Sequence, residues 1–568
     1  MNLNHAAMLA RTTFACIAAV LVAGLDNYLP AAVGARAQDA PMNIASSPIT
    51  PAEDTTVFLG PLDSDGMVDY VAALDREMSK GITEANNAAL LIVRALGPKF
   101  FDDSTRPEAL KQLGLRDLGP EKDWFRGLDQ YIPDKETRDA QLKAVTSGAW
   151  TPQDYPQVHQ WLTANEASLR MLGQASMLPR FFIPIVIPPD CYGLMSYQEP
   201  NFRLLRKAAV PALLARAFLC QPEGSGPNGF ADILTVHRLA RLVAQGPTVI
   251  YSLTALGLEA SACETALDLA EVEGLSDDEI RTYLKAIDQL APLPGVQGKI
   301  DQFERCRLLE FVFILAHSGP KALEDFLASA DHEATFRKTG NASGAEGLTR
   351  GASGCPYDYD FDAMLRMVNK HVDMMTKAWG GETFAARARR LEAFDQYMHQ
   401  LASQANAECA RIVSPPKNEG FQLFSLLAEK CRAVESQKQR DADKGTPSDL
   451  TARLLISIVY PNLSGLNAVE AKTATRLEVV RAVLALKLYK AKHGAYPKSL
   501  PDLTPGLLKA VPKDPFTEMP LSYKLDGDSC EIRSLGPDGW HDGYRTLNAT
   551  GDDDSKRPDG DDIVEKIQ

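Results

Sequence analysis

Leu477-Glu478-Val479-Val480-Arg481-Ala482-Val483-Leu484-Ala485-Leu486-Lys487-Leu488-Tyr489-Lys490-Ala491-Lys492-His493-Gly494-Ala495-Tyr496-Pro497 is the stretch from which the fold is read. Leu477, Val480, Leu484, Leu488 and Ala491 recur every three or four residues, which lines one helix face with apolar side chains. Gly494 suits the left-handed conformation just past a helix end, and Pro497 prevents the helix from resuming. Downstream, Leu521, Tyr523 and Leu525 alternate, Asp526-Gly527 supplies a turn, and Cys530 and Ile532 form the returning arm of a hairpin. Ser534-Leu535-Gly536-Pro537-Asp538-Gly539, an acidic loop and Asp561-Asp562-Ile563 close this part of the chain.

Strand signals are nearly absent before residue 520, and from Gly66 helical periodicity dominates. Helices are expected from Met67, Tyr70, Val71 and Leu74 onward, then over 86–96, where Gly97-Pro98 stops the second. Others are expected over 158–178, through Leu204, Leu205, Leu213 and Leu214, through Ile233 to Val243, and from Pro247 through Ala266. The pattern continues over 277–290, 302–316, 321–327, 361–377, 383–412, 420–438 and 449–460. Pro184, Pro188 and Pro189 break the apolar run 181–189, so it reads as an extended segment packed across helices. The fold class is therefore mainly α, with a multi-helix exported domain followed by a small α+β module. The divisions are a signal peptide 1–37, a flexible linker 38–60, a helical domain 61–334, a mobile loop 335–356, a helical continuation 357–471 and the module 472–568.

The 568 residues are 45% hydrophobic and 24% charged, as expected of a folded chain of two or three domains. With 60 basic and 74 acidic side chains the net charge is -14, which argues against nucleic acid and anionic membrane surfaces as partners. Arg11, the apolar run 12–25 and Ala35-Arg36-Ala37 before Gln38 read as a cleaved signal peptide, with an uncleaved anchor as the alternative. The expected location is the periplasm or cell envelope, with no integral membrane span after cleavage. Of the nine cysteines, Cys263 and Cys306 sit in apolar-periodic stretches and are expected as buried thiols. No pair has zinc or redox spacing, and the sequence leaves disulfides undetermined.

Catalytic signatures are missing. There is no His-Glu-x-x-His pattern, no Gly-x-Ser-x-Gly elbow and no cysteine–histidine nucleophile motif. Gly224 to Gly229 lacks the Gly-Lys-Ser/Thr ending of a phosphate loop. His237, beside Arg238 and Arg241, reads as part of a polar helix face or as a satisfied core histidine in preference to a general base. Trp161, Asn165 and Glu166 read as packing and surface residues, and Asp362, Asn369 and Asp373 as helix-to-helix hydrogen bonding. No catalytic or organic-cofactor residue is assigned. The balance leans away from an enzyme and toward an exported scaffold or binding protein with an unknown protein or glycan partner. A helical polysaccharide hydrolase or lyase is the alternative.

The order of elements after residue 472 resembles the C-terminal domain of the type II secretion major pseudopilin. That resemblance implies a calcium site between the loop after the hairpin and the aspartates before the final Asp-Ile. Asp538 matches the first loop and Asp562 the last carboxylate, while Gly560 falls where the other acid aligns, leaving Asp559 or Asp561 to substitute. Calcium suits such loops because it accepts six to eight hard oxygen ligands in irregular geometry. The N-terminal run has no prepilin cleavage pattern, so the module is joined here to a different kind of domain. The helical part also resembles a group of exported bacterial proteins to which no activity is attached. That likeness rests on Gly66-Met67-Val68-Asp69-Tyr70-Val71-Ala72-Ala73-Leu74, on Trp161-Leu162-Thr163-Ala164-Asn165-Glu166 and on the run from His237 to Thr248.

Overall fold

The computed structural model describes residues 49–189, 191, 193–220, 229–317, 359–381, 383–412, 447–459, 463–536 and 563–567. The protein is mainly helical, with one small sheet. In chain order the helices are α1 (Tyr70–Met78), α2 (Ala88–Leu96), α3 (Arg106–Gln112), α4 (Lys135–Ser147), α5 (Pro156–Ala164), α6 (Glu166–Ala175) and α7 (Val210–Ala217). They continue as α8 (Phe230–Val243), α9 (Val249–Ala270), α10 (Asp277–Ile287), α11 (305–317), α12 (Phe361–Trp379), α13 (Phe384–Ile412), α14 (Pro447–Val459) and α15 (Leu463–His493). The strands are β1 (Ser522–Asp526), β2 (Ser529–Ser534) and β3 (Ile563–Ile567), antiparallel in the order β1-β2-β3.

Helix starts follow local chemistry. Asp69 accepts the Ala72 N–H to cap α1, and Asn87 accepts from Ala89 to cap α2. Ser276 and Glu279 form a reciprocal capping box at α10. Gly494 has φ +78 and ends α15, as the sequence predicts. The expected helix over 158–178 is instead two helices, because Asn165 leaves the helical path. Its carboxamide accepts from the Arg126 N–H at 2.7 Å and donates to the Arg126 carbonyl at 3.0 Å, pinning a distant loop. Of the expected linker, residues 49–60 are described and lie against α12: Asn369 donates to the Asp54 and Thr55 carbonyls, and Asp362 accepts from the Thr50 N–H.

Two apolar cores form. The first gathers side chains of α2 and α5–α10, the second half of α15 and the sheet. The second gathers α1, α11–α14 and the start of α15. Helix α15 bridges them, with Leu463 and Leu466 in the second core and Val479 to Leu488 in the first. Its middle is buried on every side: Val479, Val480, Ala482, Val483, Leu484, Ala485 and Leu486 are all core residues. This corrects the single apolar face read from the periodicity. Leu477 is half-buried and Ala491 is exposed, so the expected stripe neither begins nor ends in the core. Helix α9 packs beside α15 and likewise serves both cores, through Leu256 in one and Tyr251, Ala255 and Leu258 in the other.

The signal peptide 1–37, the mobile loop 335–356 and the helices expected over 321–327 and 420–438 lie outside the described residues. So do Gly224 to Asn228 and Asp538, Asp559, Asp561 and Asp562. Among the described residues, no helix is long and apolar enough to cross a membrane.

Candidate functional site

The two cores meet beneath residues 179–189, the proline-broken run together with the two residues before it. Phe181, Ile183 and Val186 belong to the first core and Ile185 to the second. This strap is not helical, as its prolines predict, and amide side chains hold it from both sides. On one side, Asn87 accepts from the Phe182 N–H and donates to the Phe182 carbonyl, both at 2.9 Å. On the other, Gln245 accepts from the Phe181 N–H and donates to the Pro179 carbonyl, both at 3.1 Å. Each carboxamide thus stands in for a neighbouring strand.

A groove of about 430 Å³ runs along the Gln245 side. Met78, Pro179, Phe181, Phe182, Ile183 and Pro247 make most of its wall. Glu77, Arg180 and Gln245 supply polar groups, and Glu77 is the one carboxylate among its lining residues. The Gly246-Pro247 corner shapes one end. A Cβ on Gly246 would clash with one edge of the Tyr251 ring, so the close approach favours glycine. Lys299 reaches under the corner and donates to the Ala244 carbonyl at 2.8 Å and to the Gly246 carbonyl. It thereby caps the end of α8. Burial lowers the Lys299 amine to about 7, against the opposing pull of Glu304.

Two acids, the half-buried Asp75 and the buried Glu310, support the strap and the turn that follows it. Asp75 on α1 accepts from the Ile185 N–H at 2.9 Å, and burial pushes its carboxyl up to about 7. Glu310 on α11 accepts from the Leu194 and Met195 N–H groups at 2.9 and 3.1 Å. Burial raises it to about 8 despite those two donors.

His237 lies in a separate network, itself fully buried with Glu259 and Tyr283 and joined at its edge by the partly exposed Arg241. Its Nδ1 is 2.8 Å from Glu259 and its Nε2 is 2.8 Å from the Tyr283 hydroxyl. Arg241 donates to both Glu259 oxygens, at 2.7 and 3.1 Å. Burial alone would raise Glu259, but the charge and hydrogen bond of His237 and those of Arg241 bring it down to about 2. His237, Glu259 and Cys263 place donor atoms within 4.8 Å of one another, which on paper suits a transition metal. The surroundings do not fit one. Both ring nitrogens are engaged, and a guanidinium neutralises the carboxylate that a cation would need. His237 is a satisfied core histidine, one of the two readings its sequence context allows.

The remaining sequence candidates are structural. Trp161 is buried and donates to the Arg126 carbonyl at 2.7 Å, beside Asn165. Asp373 pairs with Arg305 at 2.7 Å, and Asn369 accepts from the same guanidinium at 3.2 Å. Cys263 and Cys306 are buried thiols, as expected. What the sequence reading missed is the role of Asn87 and Gln245. Their only local signal is a carboxamide beside a helix end, within reach of a proline-rich run. Compared with protein-family models, curated proteins and solved structures, the chain matches none.

Proposed function

We propose that the protein is an exported, non-enzymatic binding protein. Its ligand site is the groove beside the strap, and its C-terminal helix-and-sheet module serves assembly or contact. The observation that carries this reading is the groove wall: apolar side chains and backbone, with Glu77 as the one carboxylate. Glycoside cleavage takes two carboxyl groups facing each other across the bond. A wall that mixes apolar side chains with polar groups in nearly equal share, and has a single carboxylate, suits recognition. A photocrosslinking residue at Met78 in the full chain, expressed in cells, tests this. It is expected to give an adduct that the same residue at the exposed Lys122 does not. Polysaccharide turnover that disappears in Glu77→Gln would overturn the reading.

In this proposal the acidic tail binds calcium through Asp538, Asp562 and Asp559 or Asp561. The sheet register supports it. Ser534 pairs with Ile563, so the chain leaving β2 and the chain entering β3 start side by side, four residues from Asp538 and one from Asp562. Several aspartates brought together repel one another unless a cation intervenes. Hydrogen exchange on the full chain should show the β3 amides better protected in calcium than in chelator. Equal protection, in wild type and in Asp562→Ala, would reduce the tail to a solvated acidic segment.

A further inference from the structure

The strap's hydrogen bonds alternate with residue number. Arg180 and Phe182 bond toward the start of α2: the Arg180 N–H donates to the Asn86 carbonyl, its carbonyl accepts from Ala88, and Phe182 pairs with Asn87. Pro179 and Phe181 bond toward Gln245. Such alternation is that of an extended strand, whose successive residues present N–H and C=O to opposite edges. The Phe181 carbonyl and both backbone groups of Ile183 therefore face the groove edge, and none has a partner among the described residues. At one end of this open window stands the Gln245 carboxamide. At the other, Asp75 takes the Ile185 N–H.

We infer that the groove binds an extended peptide, which adds to the strap as a strand along the Phe181–Ile183 edge. Backbone groups at a groove wall must be answered by solvent or by a ligand, and three in strand register are answered together by a peptide backbone. Met78, Phe182 and Pro247 then offer apolar pockets to alternate side chains of the ligand. Arg180 favours an acidic residue in that peptide. Among the described residues its side chain bonds only the Lys80 carbonyl, at 3.4 Å, which leaves the cation at the groove rim with no carboxylate paired to it. This inference rests on the binding reading above and specifies the ligand's class.

The test uses the full-length protein and a library of capped, unstructured octapeptides, read by fluorescence polarisation. The expected result is a set of acidic-apolar binders that Met78→Arg abolishes and Arg180→Gln weakens several-fold. N-methylation along the best binder should cost about tenfold at alternate central positions and little between them, since each loss removes one backbone donor. Tolerance of N-methylation at every position, or absence of any binder, overturns the strand. A non-peptide adduct at Met78 would do the same while leaving the binding reading intact. No adduct at Met78 together with Glu77-dependent turnover would remove both.

Discussion

Glu259 is held in the core as an anion because His237 and Arg241 surround its carboxylate, and the charges are consistent only as a set. Glu259→Gln leaves the largely buried Arg241 guanidinium without its counter-charge, answered only by a neutral amide and the His237 and Ala291 carbonyls. Removing one partner of such a pair costs about 3–5 kcal/mol, so a clear fall in the urea midpoint is expected at neutral pH. The wild-type contribution has a defined acid limit. The folded pKa lies below the unfolded one, so the stabilisation is present above pH 4.5 and disappears as pH falls toward 2. A midpoint for Glu259→Gln equal to wild type at pH 7 would show that the pair contributes nothing. Gly246 makes a steric demand instead. In Gly246→Ala the new methyl must push against the Tyr251 ring, which is packed edge-on against Phe181 and Phe202. Overpacking of this kind costs about 1–3 kcal/mol, measurable as a lowered melting temperature.

At the scale of elements, α15 ties the molecule together. Its start lies in the second core and packs with α13, while its middle lies in the first and packs with α9, α10 and the sheet, so loosening the middle acts on the first core directly and on the second through the helix itself. Leu484 is fully buried, and truncating such a leucine costs about 2–5 kcal/mol. Leu484→Ala is expected to lower the unfolding transition as a whole. A calorimetric trace in which only part of the transition shifts would show that the two cores unfold separately. The strap depends on its clasps in a similar way. Losing Asn87 leaves the part-buried N–H and C=O of Phe182 without their partner, so faster exchange of the Phe182 amide is expected in Asn87→Ala.

At the scale of the whole molecule, buried acids set a pH dependence of unusual sign. Asp75 and Glu310 bind protons more tightly folded, at about 7 and 8, than unfolded. Their protonation favours the folded state fully below the unfolded values, and that support is lost as pH rises through the folded ones. Lys299 acts only above about 7, where its folded form has already given up its proton and rising pH favours folding. Between pH 5 and 7 the acids therefore govern, and stability is expected to fall as pH rises. Glu310→Gln should flatten that slope by about 1.4 kcal/mol per pH unit, one proton's share. Denaturation midpoints at pH 5, 6 and 7 that show the same slope in both proteins would overturn the assignment.

The sequence by itself determined what depends on neighbours along the chain. Gly494 ends its helix, Asp526-Gly527 turns the hairpin, and the three prolines keep the strap out of helix, because backbone sterics act within a few residues. His237 was legible as a satisfied histidine, though not by which partners, since Glu259 and Tyr283 stand 22 and 46 residues away. The tertiary structure alone decided the rest. Periodicity reported one apolar face of α15, whereas burial on every side arises because α9, α10 and the sheet all pack around its middle. The groove was beyond reach for the same reason. Its strap is clasped by Gln245 from 64 residues away and by Asn87 from 95, and no local signal distinguishes those carboxamides from others on a helix surface. Contacts at such separations exist only once the helices between them have packed, which is why the fold class could be read along the chain and the candidate site could not.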